Sequence, residues 1–554
     1  MIPRAPRRSF RLAGLLAAWL LPAVSAFAAF GLVAAPDYYQ VDTGAGLVFK
    51  VRRTDNGSNT QSAGDIMSLV WNGVEYQDQH RGSQMTSGFD YLYTGVSAVT
   101  VGATVVADRY IKITVQAGNL THYYLARSGY PHIYMGTCFT TEPNIHGLVR
   151  YILRIPAGLL PDGPGPSDIR NTTGAIESAD IFGRPDGTTR SKHYSNQRLK
   201  DWSCIGATGA NVGIWIVRDN NEGGSGGPFY RCLLNQCGVN QEITYIVNYG
   251  EAQTEAFRTG ILNTYTAVFT TGAAPSTPID TAWFSSMDLA GYLAPSGRGS
   301  ITGAGIDGRD PACAYTVGFA NTTAQYWTAA APANGSFTCE GMRPGAYTLT
   351  IYKNELAVYT APVTVSAGPA TKLNTLTITA DPGAVTALWR IGIWDGSPAE
   401  FRNGTSITTM HPSDVRLASW NPGTFVVGSS DNASFPCYQW KAINGRQAVQ
   451  FTLTAAQAAA ARTVRIGLTC AYAGARPKVT VNSWNSPIPG PSVQPATRTL
   501  TVGTYRGNNT TYIFNVPASA LVAGTNTLTI LPVSGTTGTG YLSPGYSIDC
   551  IDFY

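Results

Sequence analysis

The chemistry is concentrated in a heptad. In a chain where only 13% of residues are charged, Arg190, Ser191, Lys192 and His193 follow one another between Thr189 and Tyr194-Ser195. A lysine placed beside other cations gives up its proton more easily, because a second positive charge disfavours the ammonium form. That makes Lys192 a candidate base near neutral pH. A second constellation lies at 148–155, where period-two alternation puts Arg150, Ile152 and Arg154 on one face and Val149, Tyr151, Leu153 and Ile155 on the other. Two guanidiniums then project together from a sheet. A third runs from Tyr245 through Tyr249 to Glu251 and Glu255, a strand entering a polar turn, the pattern expected at the rim of a cleft.

The elements that must position these groups are strands. The 60 glycines, with recurring Thr, Ser, Asn, Val and Tyr in short runs, favour strands and turns over helices. From residue 30 to about 280, alternating runs such as 47–51, 96–106, 110–115 and 123–125 predict a large sandwich of antiparallel sheets. The loop at 223–230, too rich in glycine for a strand interior, lets the backbone approach something closely, and it lacks the ending of a phosphate loop. Residues 271–281 read as a linker. Beyond them, a G-x-x-P-G-x-Y-x-L-x-I turn and strand near 341–351 fits a small immunoglobulin- or fibronectin-like module. From 376 onward, sequential strands with a returning terminal strand predict a jelly roll. One short alanine-rich helix is expected at 454–462. The reading is all-β, with a leader at 1–28 and domains at 29–280, 281–375 and 376–554.

Arg4, Arg7, Arg8 and Arg11 precede the apolar run 12–22 and Ala26-Phe27-Ala28, the layout of a secretory leader. Removing those four arginines takes the formal charge from +5 to +1, which withdraws the main support for a nucleic-acid partner. With no second long apolar run and no anchor signal, a secreted product without a membrane partner is expected. Sequons, among them Asn56, Asn119, Asn321 and Asn403, fit a glycosylated surface. Nine cysteines in an oxidising compartment suggest bridges, with Cys232–Cys237, Cys313–Cys339 and Cys437–Cys470 as candidate pairs. No CxxC or HExxH spacing supports zinc. His80, His122, His132 and His146 are scattered and read as structural. The five tryptophans Trp389, Trp394, Trp420, Trp440 and Trp484 read as core.

R-S-K-x-Y-S at 190–195, S-G-G-P-F at 225–229, Q-T-E-x-F-R at 253–258, G-Y-L-A-x-S-G-R-G at 291–299, A-Q-Y-W-T at 324–328, R-P-G-A-Y at 343–347, I-G-x-W-D-G at 391–396, F-R-N at 401–403, M-H-P-S-D at 410–414, A-G-x-R-P at 473–477 and L-S-P-x-x-x-x-D-C at 542–550 together resemble the secreted rhamnogalacturonan lyases, family 4 of the polysaccharide lyases. The resemblance implies a galactose-mutarotase-like catalytic β-sandwich, a fibronectin-III-like domain and a jelly roll similar to carbohydrate-binding modules. It implies a polysaccharide partner, rhamnogalacturonan I of pectin, cleaved by β-elimination at C4 of galacturonate to leave a 4,5-unsaturated uronate. It implies no cofactor for catalysis, and a structural calcium that Asp549 and Asp552 could join. A monomer is expected.

Elimination next to a carboxylate needs a base for the C5 proton, positive charge for the enolate-like carboxylate, and an acid for the leaving oxygen. Lys192 matches the family's catalytic lysine and is assigned as base. Arg150, with Arg154 as alternate, is assigned to the uronate carboxylate, which a guanidinium can grip with two parallel bonds. The family places a histidine directly after the glycine of the 250–255 turn; this chain has Glu251. A glutamic acid serves as proton donor only when burial or a neighbouring carboxylate such as Glu255 raises its pKa. Leaving-group protonation therefore falls to Glu251, Tyr245 or His193, with Tyr249 as a further contact. A pectin-binding homologue with weakened or lost catalysis is the competing reading, and a hydrolase with paired carboxylates is a third.

Overall fold

The computed structural model describes residues 1, 29–55, 60–89, 99–142, 148–536 and 544–554. The leader at 2–28, the sequon at Asn56, His146, the start of the run at 96–106 and Leu542-Ser543 of the last motif lie outside the described residues. The described residues are all-β apart from short 3-10 turns and one helical turn, Ala455–Ala458. That turn lies at the start of the expected 454–462 helix. Thr454 and Gln457 cap it reciprocally, and the strand Arg462–Tyr472 follows within four residues, leaving no room for a second turn.

The first domain is a sandwich. Its larger sheet has seven antiparallel strands in the order Cys204–Gly209, Val212–Arg218, Asn263–Thr270, His132–Phe139, Leu120–Arg127, Tyr110–Ala117 and Val99–Val106. Facing it is the four-stranded sheet Asn235–Cys237, Asn240–Asn248, Val149–Pro156 and Gln84–Met85. Both faces meet in one core, which holds Ile113, Val115, Tyr124, Ile133, Tyr151, Leu153, Ile214 and Tyr265, as period-two alternation requires. A three-stranded sheet, Gly174–Glu177, Ile181–Gly183 and Thr189–Ser191, stands outside this sandwich and ends at Lys192. We call it the lysine sheet.

The fibronectin-like domain packs Ile301, Val317, Phe319, Leu349, Ile351 and Val358 in its own core. The last domain stacks two five-stranded sheets. One is built around Gly545–Phe553 and Arg462–Tyr472, the other around Gln447–Leu453 and Gly524–Val533. Trp389, Trp420 and Trp440 are buried in its core, Trp484 packs at its margin, and Trp394 belongs to the core shared with the second domain.

The expected bridges are corrected. All nine cysteines are free. Cys232 and Cys237 belong to different sheets and look in different directions, the first toward Tyr249 and the second toward Asp168. Cys437 and Cys470 share a core without a bond.

Candidate active site

The cations of the heptad meet different partners. Thr189 and Ser191 point inward while Arg190 points outward, toward Arg184, Arg416, Asp186 and Asp414. Lys192 lies just past the strand end. Its Nζ stands 3.6 Å from Asp180 Oδ1 and 5.9 Å from the centre of the Phe182 ring. The premise that cations crowd Lys192 is thus corrected: the charge nearest its ammonium is a carboxylate. His193 Nε2 approaches the other oxygen, Asp180 Oδ2, at 3.9 Å, a charge contact beyond hydrogen-bond reach. Arg498, from the last domain, donates to that same Oδ2 at 2.6 Å and to Ser178 Oγ at 2.7 Å. His193 and then Arg498 hold the Asp180 carboxyl well below the usual carboxylate range.

The last domain grips the lysine sheet at further points. His411 Nε2 meets Glu177 Oε2 at 2.8 Å with the imidazole fully buried. Thr189 donates through both N and Oγ1 to Asp414 Oδ2 at 2.8 Å. Val415 N donates to Gly187 O at 3.2 Å, and a Cβ on Gly187 would stand 2.5 Å from the Val415 side chain. His411 is thus a cross-domain contact.

A cleft of about 600 Å³ opens along this seam. His193, Tyr230, Arg231 and Tyr249 form one side, Arg498 and Tyr472 the other. It adjoins a second lobe of about 390 Å³ that holds Glu251, Arg258 and Arg506, and the two share Tyr230, Gln253, Gln494 and Pro495. Tyr230 OH donates to Gln253 Oε1 at 3.1 Å at this junction, and Ala496 N donates to Ala252 O at 2.7 Å, fastening the Glu251 turn to the last domain. Two lobes in a row make a groove suited to a chain polymer rather than to a single small molecule.

The groove separates the sequence-predicted residues. His193 and Tyr249 line it. Tyr249 is nevertheless committed through its hydroxyl, which accepts from Leu233 N at 3.0 Å and donates to Arg231 O at 3.1 Å; burial raises its pKa well above the usual value, so it holds its proton. Tyr245 is corrected: it stacks on Tyr265 at 4.0 Å inside the core and donates to Asn220 O, away from the groove. Arg154 is corrected as well. It is 1% exposed and donates to Gly82 O, Gln84 Oε1 and Glu242 Oε1, because a guanidinium is buried only where such partners replace water. Burial, then the positive charge of Arg81, brings it down to about 10. Arg150 is half-buried on the same network. The Gln236 amide accepts from its Nη1 at 3.2 Å and donates to Glu242 Oε2 at 3.2 Å, and Arg150 is not among the residues lining the groove. Glu251 lines the second lobe but is exposed, so the burial that the acid role called for is not present, and Glu255 is bound to Arg258 Nη1 at 2.7 Å.

Sequence reasoning missed Asp180, Arg231 and Arg498. Arg231 lines the cleft with its guanidinium 4.8 Å from the Tyr505 ring and its Nε buried without a partner. The available signal was its place just after the glycine loop. What that loop approaches is protein: Gly226, at φ +87°, would put a Cβ 2.6 Å from Tyr230, and Gly227 N donates to Gln325 of the second domain at 3.1 Å.

The pair proposed for calcium does not fit it. Asp552 accepts from Arg465 Nε (2.9 Å) and Nη2 (2.5 Å), Arg390 Nη2 (3.2 Å) and Trp394 Nε1 (3.0 Å), which leaves no oxygen for a cation. Asp549 Oδ1 accepts from Asp395 N and Gly396 N. Among the described residues no three His, Cys, Asp or Glu side chains converge as a metal site requires.

Comparison with known proteins matches nearly the whole chain. Residues 30–291 match "Rhamnogalacturonan lyase B, N-terminal", residues 296–373 "Polysaccharide lyase family 4, domain II", and residues 387–553 "Polysaccharide lyase family 4, domain III". Rhamnogalacturonate lyase A of Emericella nidulans is 39% identical over 545 residues, 98% of this chain and 99% of the relative. Rhamnogalacturonate lyase A of Aspergillus aculeatus is 39% identical over 547 residues, again 98% and 99%. A probable rhamnogalacturonate lyase A of Aspergillus terreus is 40% identical over 526 residues, 94% of each chain. With its three modules in order and relatives covered from end to end, the chain belongs to the rhamnogalacturonan lyases, family 4 of the polysaccharide lyases.

Proposed function

We infer that this protein is a pectin-degrading lyase that cleaves the rhamnose–galacturonic acid bond of rhamnogalacturonan I by β-elimination. The observation that carries the reading is the likeness, over 98% of the chain, to relatives named rhamnogalacturonate lyase A, joined to a two-lobed groove that His193 lines, next to Lys192 in the heptad. Lys192 is the base that takes the C5 proton. The uronate carboxylate, which gains charge as C5 is deprotonated, is held by Arg231 in the cleft, with His193 beside it; Arg150 supports that wall from behind through Gln236. In galacturonate the C5–H and C4–O bonds are trans on the ring. A base on the heptad therefore needs its acid across the bound ring; Tyr230 stands at the junction of the two lobes and Glu251 in the second. Glu251 keeps the acid role on the condition that bound polymer covers it. Electrons from the broken C5–H bond form the C4–C5 double bond as the C4–O bond breaks, and the leaving rhamnose oxygen takes the acid's proton.

The enzyme acts outside the cell as a monomer without a catalytic cofactor. The basic, apolar and small-residue order of the leader supports export, and no helix among the described residues is long and apolar enough to cross a membrane. A pectin-binding homologue without turnover is the second reading, favoured by Glu251 standing where the family has histidine.

Incubation with rhamnogalacturonan I and measurement of ultraviolet absorbance of the unsaturated uronate decides between them. Absorbance rises if the chain is a lyase. Binding of the polymer by folded protein with flat absorbance would establish the second reading.

A further inference from the structure

The contact between Asp180 and Lys192 is long for a lysine and a carboxylate facing each other, and the structure holds a reason. Asp180 has two oxygens and two cationic neighbours, Arg498 and Lys192. Arg498 occupies Oδ2 at 2.6 Å and is itself fixed by Ser178 at 2.7 Å, while Lys192 reaches only Oδ1, at 3.6 Å. Resting on the assignment of Lys192 as base, we propose that Arg498 is a positioning residue that holds Asp180 off Lys192, so that the last domain is part of the elimination machinery as well as a neighbour of it.

The argument is one of competition. A carboxylate that closed on the ammonium would hold its proton and fix the side chain in place, and both effects oppose proton abstraction. A carboxylate removed altogether would free the side chain to wander, and misplacement by about 1 Å costs on the order of 10²-fold in rate. Arg498 keeps Asp180 between these extremes. A planar fork suits this task because it spans Ser178 and Asp180 together. The seam does not depend on Arg498 for docking, since His411–Glu177 and Asp414–Thr189 hold the lysine sheet independently.

Two measurements on the full chain test this. In the first, Lys192 is acylated by an amine-reactive ester, its rate followed by peptide mass spectrometry with exposed Lys372 as internal reference; no turnover is needed. Arg498→Ala should slow labelling of Lys192 several-fold and Asp180→Asn should speed it several-fold. In the double variant the loss of Arg498 should have no further effect, because the carboxylate it restrains is gone. A role confined to holding the domains together would move both single variants in the same direction. In the second, Arg498→Ala should lower kcat by about 10- to 100-fold with KM within about twofold, and Arg498→Lys should recover part of the loss.

Unchanged or faster labelling in Arg498→Ala overturns the proposal. If wild-type protein yields no unsaturated product while labelling responds with the two opposite signs, the elimination reading fails and the positioning role stands. If wild-type turns over and labelling is equal in all variants, the reverse holds.

Discussion

The first domain meets its two followers through buried charge in both cases, and the two seams are built to opposite ends. At the second domain, Glu222 is 3% exposed and receives Arg298 through two bonds (2.7 and 3.0 Å), Arg343 Nε (3.3 Å) and the Tyr326 hydroxyl (2.7 Å). Burial works to raise its pKa, and Arg298, Arg343 and Tyr326 overcome this, leaving the carboxyl below its usual range. Every oxygen is saturated at hydrogen-bond distance, which makes a fixed joint. At the last domain, Asp180 is saturated on one oxygen and loosely contacted on the other, and the seam opens into the groove. The same residue types serve rigidity in one place and, on the proposed mechanism, chemistry in the other, and the difference lies in whether the last contact is closed.

This contrast can be broken most sharply at Lys192. Lys192→Ala should lower the rate of unsaturated product formation by about 10²- to 10⁴-fold, the range for loss of a general base, while the melting temperature stays close to wild type. Near-wild-type turnover would show that the loose seam carries no chemistry. Glu222→Ala tests the other side. Removing one partner of a buried pair leaves charge uncompensated and costs about 3–5 kcal/mol, so the urea midpoint should fall steeply while kcat of the protein still folded stays within about twofold. Equal losses of kcat at both seams would remove the distinction.

The sequence made the strands and the Lys192 heptad legible because both are local: alternation sets faces, and four consecutive residues set the heptad. It did not reveal what each side chain meets. Arg190 and Lys192 are two residues apart, yet the strand ends between them and they face different partners. Arg154 shares a face with Arg150 as period two requires, but the 82–84 segment covers that face, and coverage is not encoded in alternation. Tyr245 sits in the expected strand and points into the core. Asp180 and Arg498 lie 318 residues apart and could not be paired by any local pattern. The departure at Glu251 was visible from the motif, whereas its exposure was not.

A smaller effect is expected at Arg231, which lines the cleft side of the loose seam and is proposed to hold the substrate carboxylate. Arg231→Ala should raise KM about 10- to 100-fold for the polymer, in keeping with about 1.5–3 kcal/mol for hydrogen bonds to a charged group, with little change in stability. Arg150→Ala, acting from behind the wall, should change KM less. A reversal of that order would return the carboxylate to Arg150.

The smallest effect tests the fixed seam from within. Asp219 lies three residues before Glu222 and lines the same interdomain cleft, but only Thr266 Oγ1 donates to it, at 2.9 Å, and its Oδ1 is buried without a partner. Burial pushes this carboxyl up to about 7. An acid whose folded pKa lies above its unfolded value of about 3.9 holds its proton in the folded state, so its contribution to stability is full below about pH 4 and is lost as pH rises toward 7. Wild-type protein should therefore lose more stability than Asp219→Asn between pH 5 and pH 8, read from urea midpoints at the two values. Glu222, pulled in the opposite direction by its arginines, contributes the reverse slope, and it does so only as pH falls below the ordinary carboxylate range. Two carboxylates three residues apart thus impose opposite pH dependences on one joint, in windows that do not overlap, and a variant at either position should leave the slope due to the other intact.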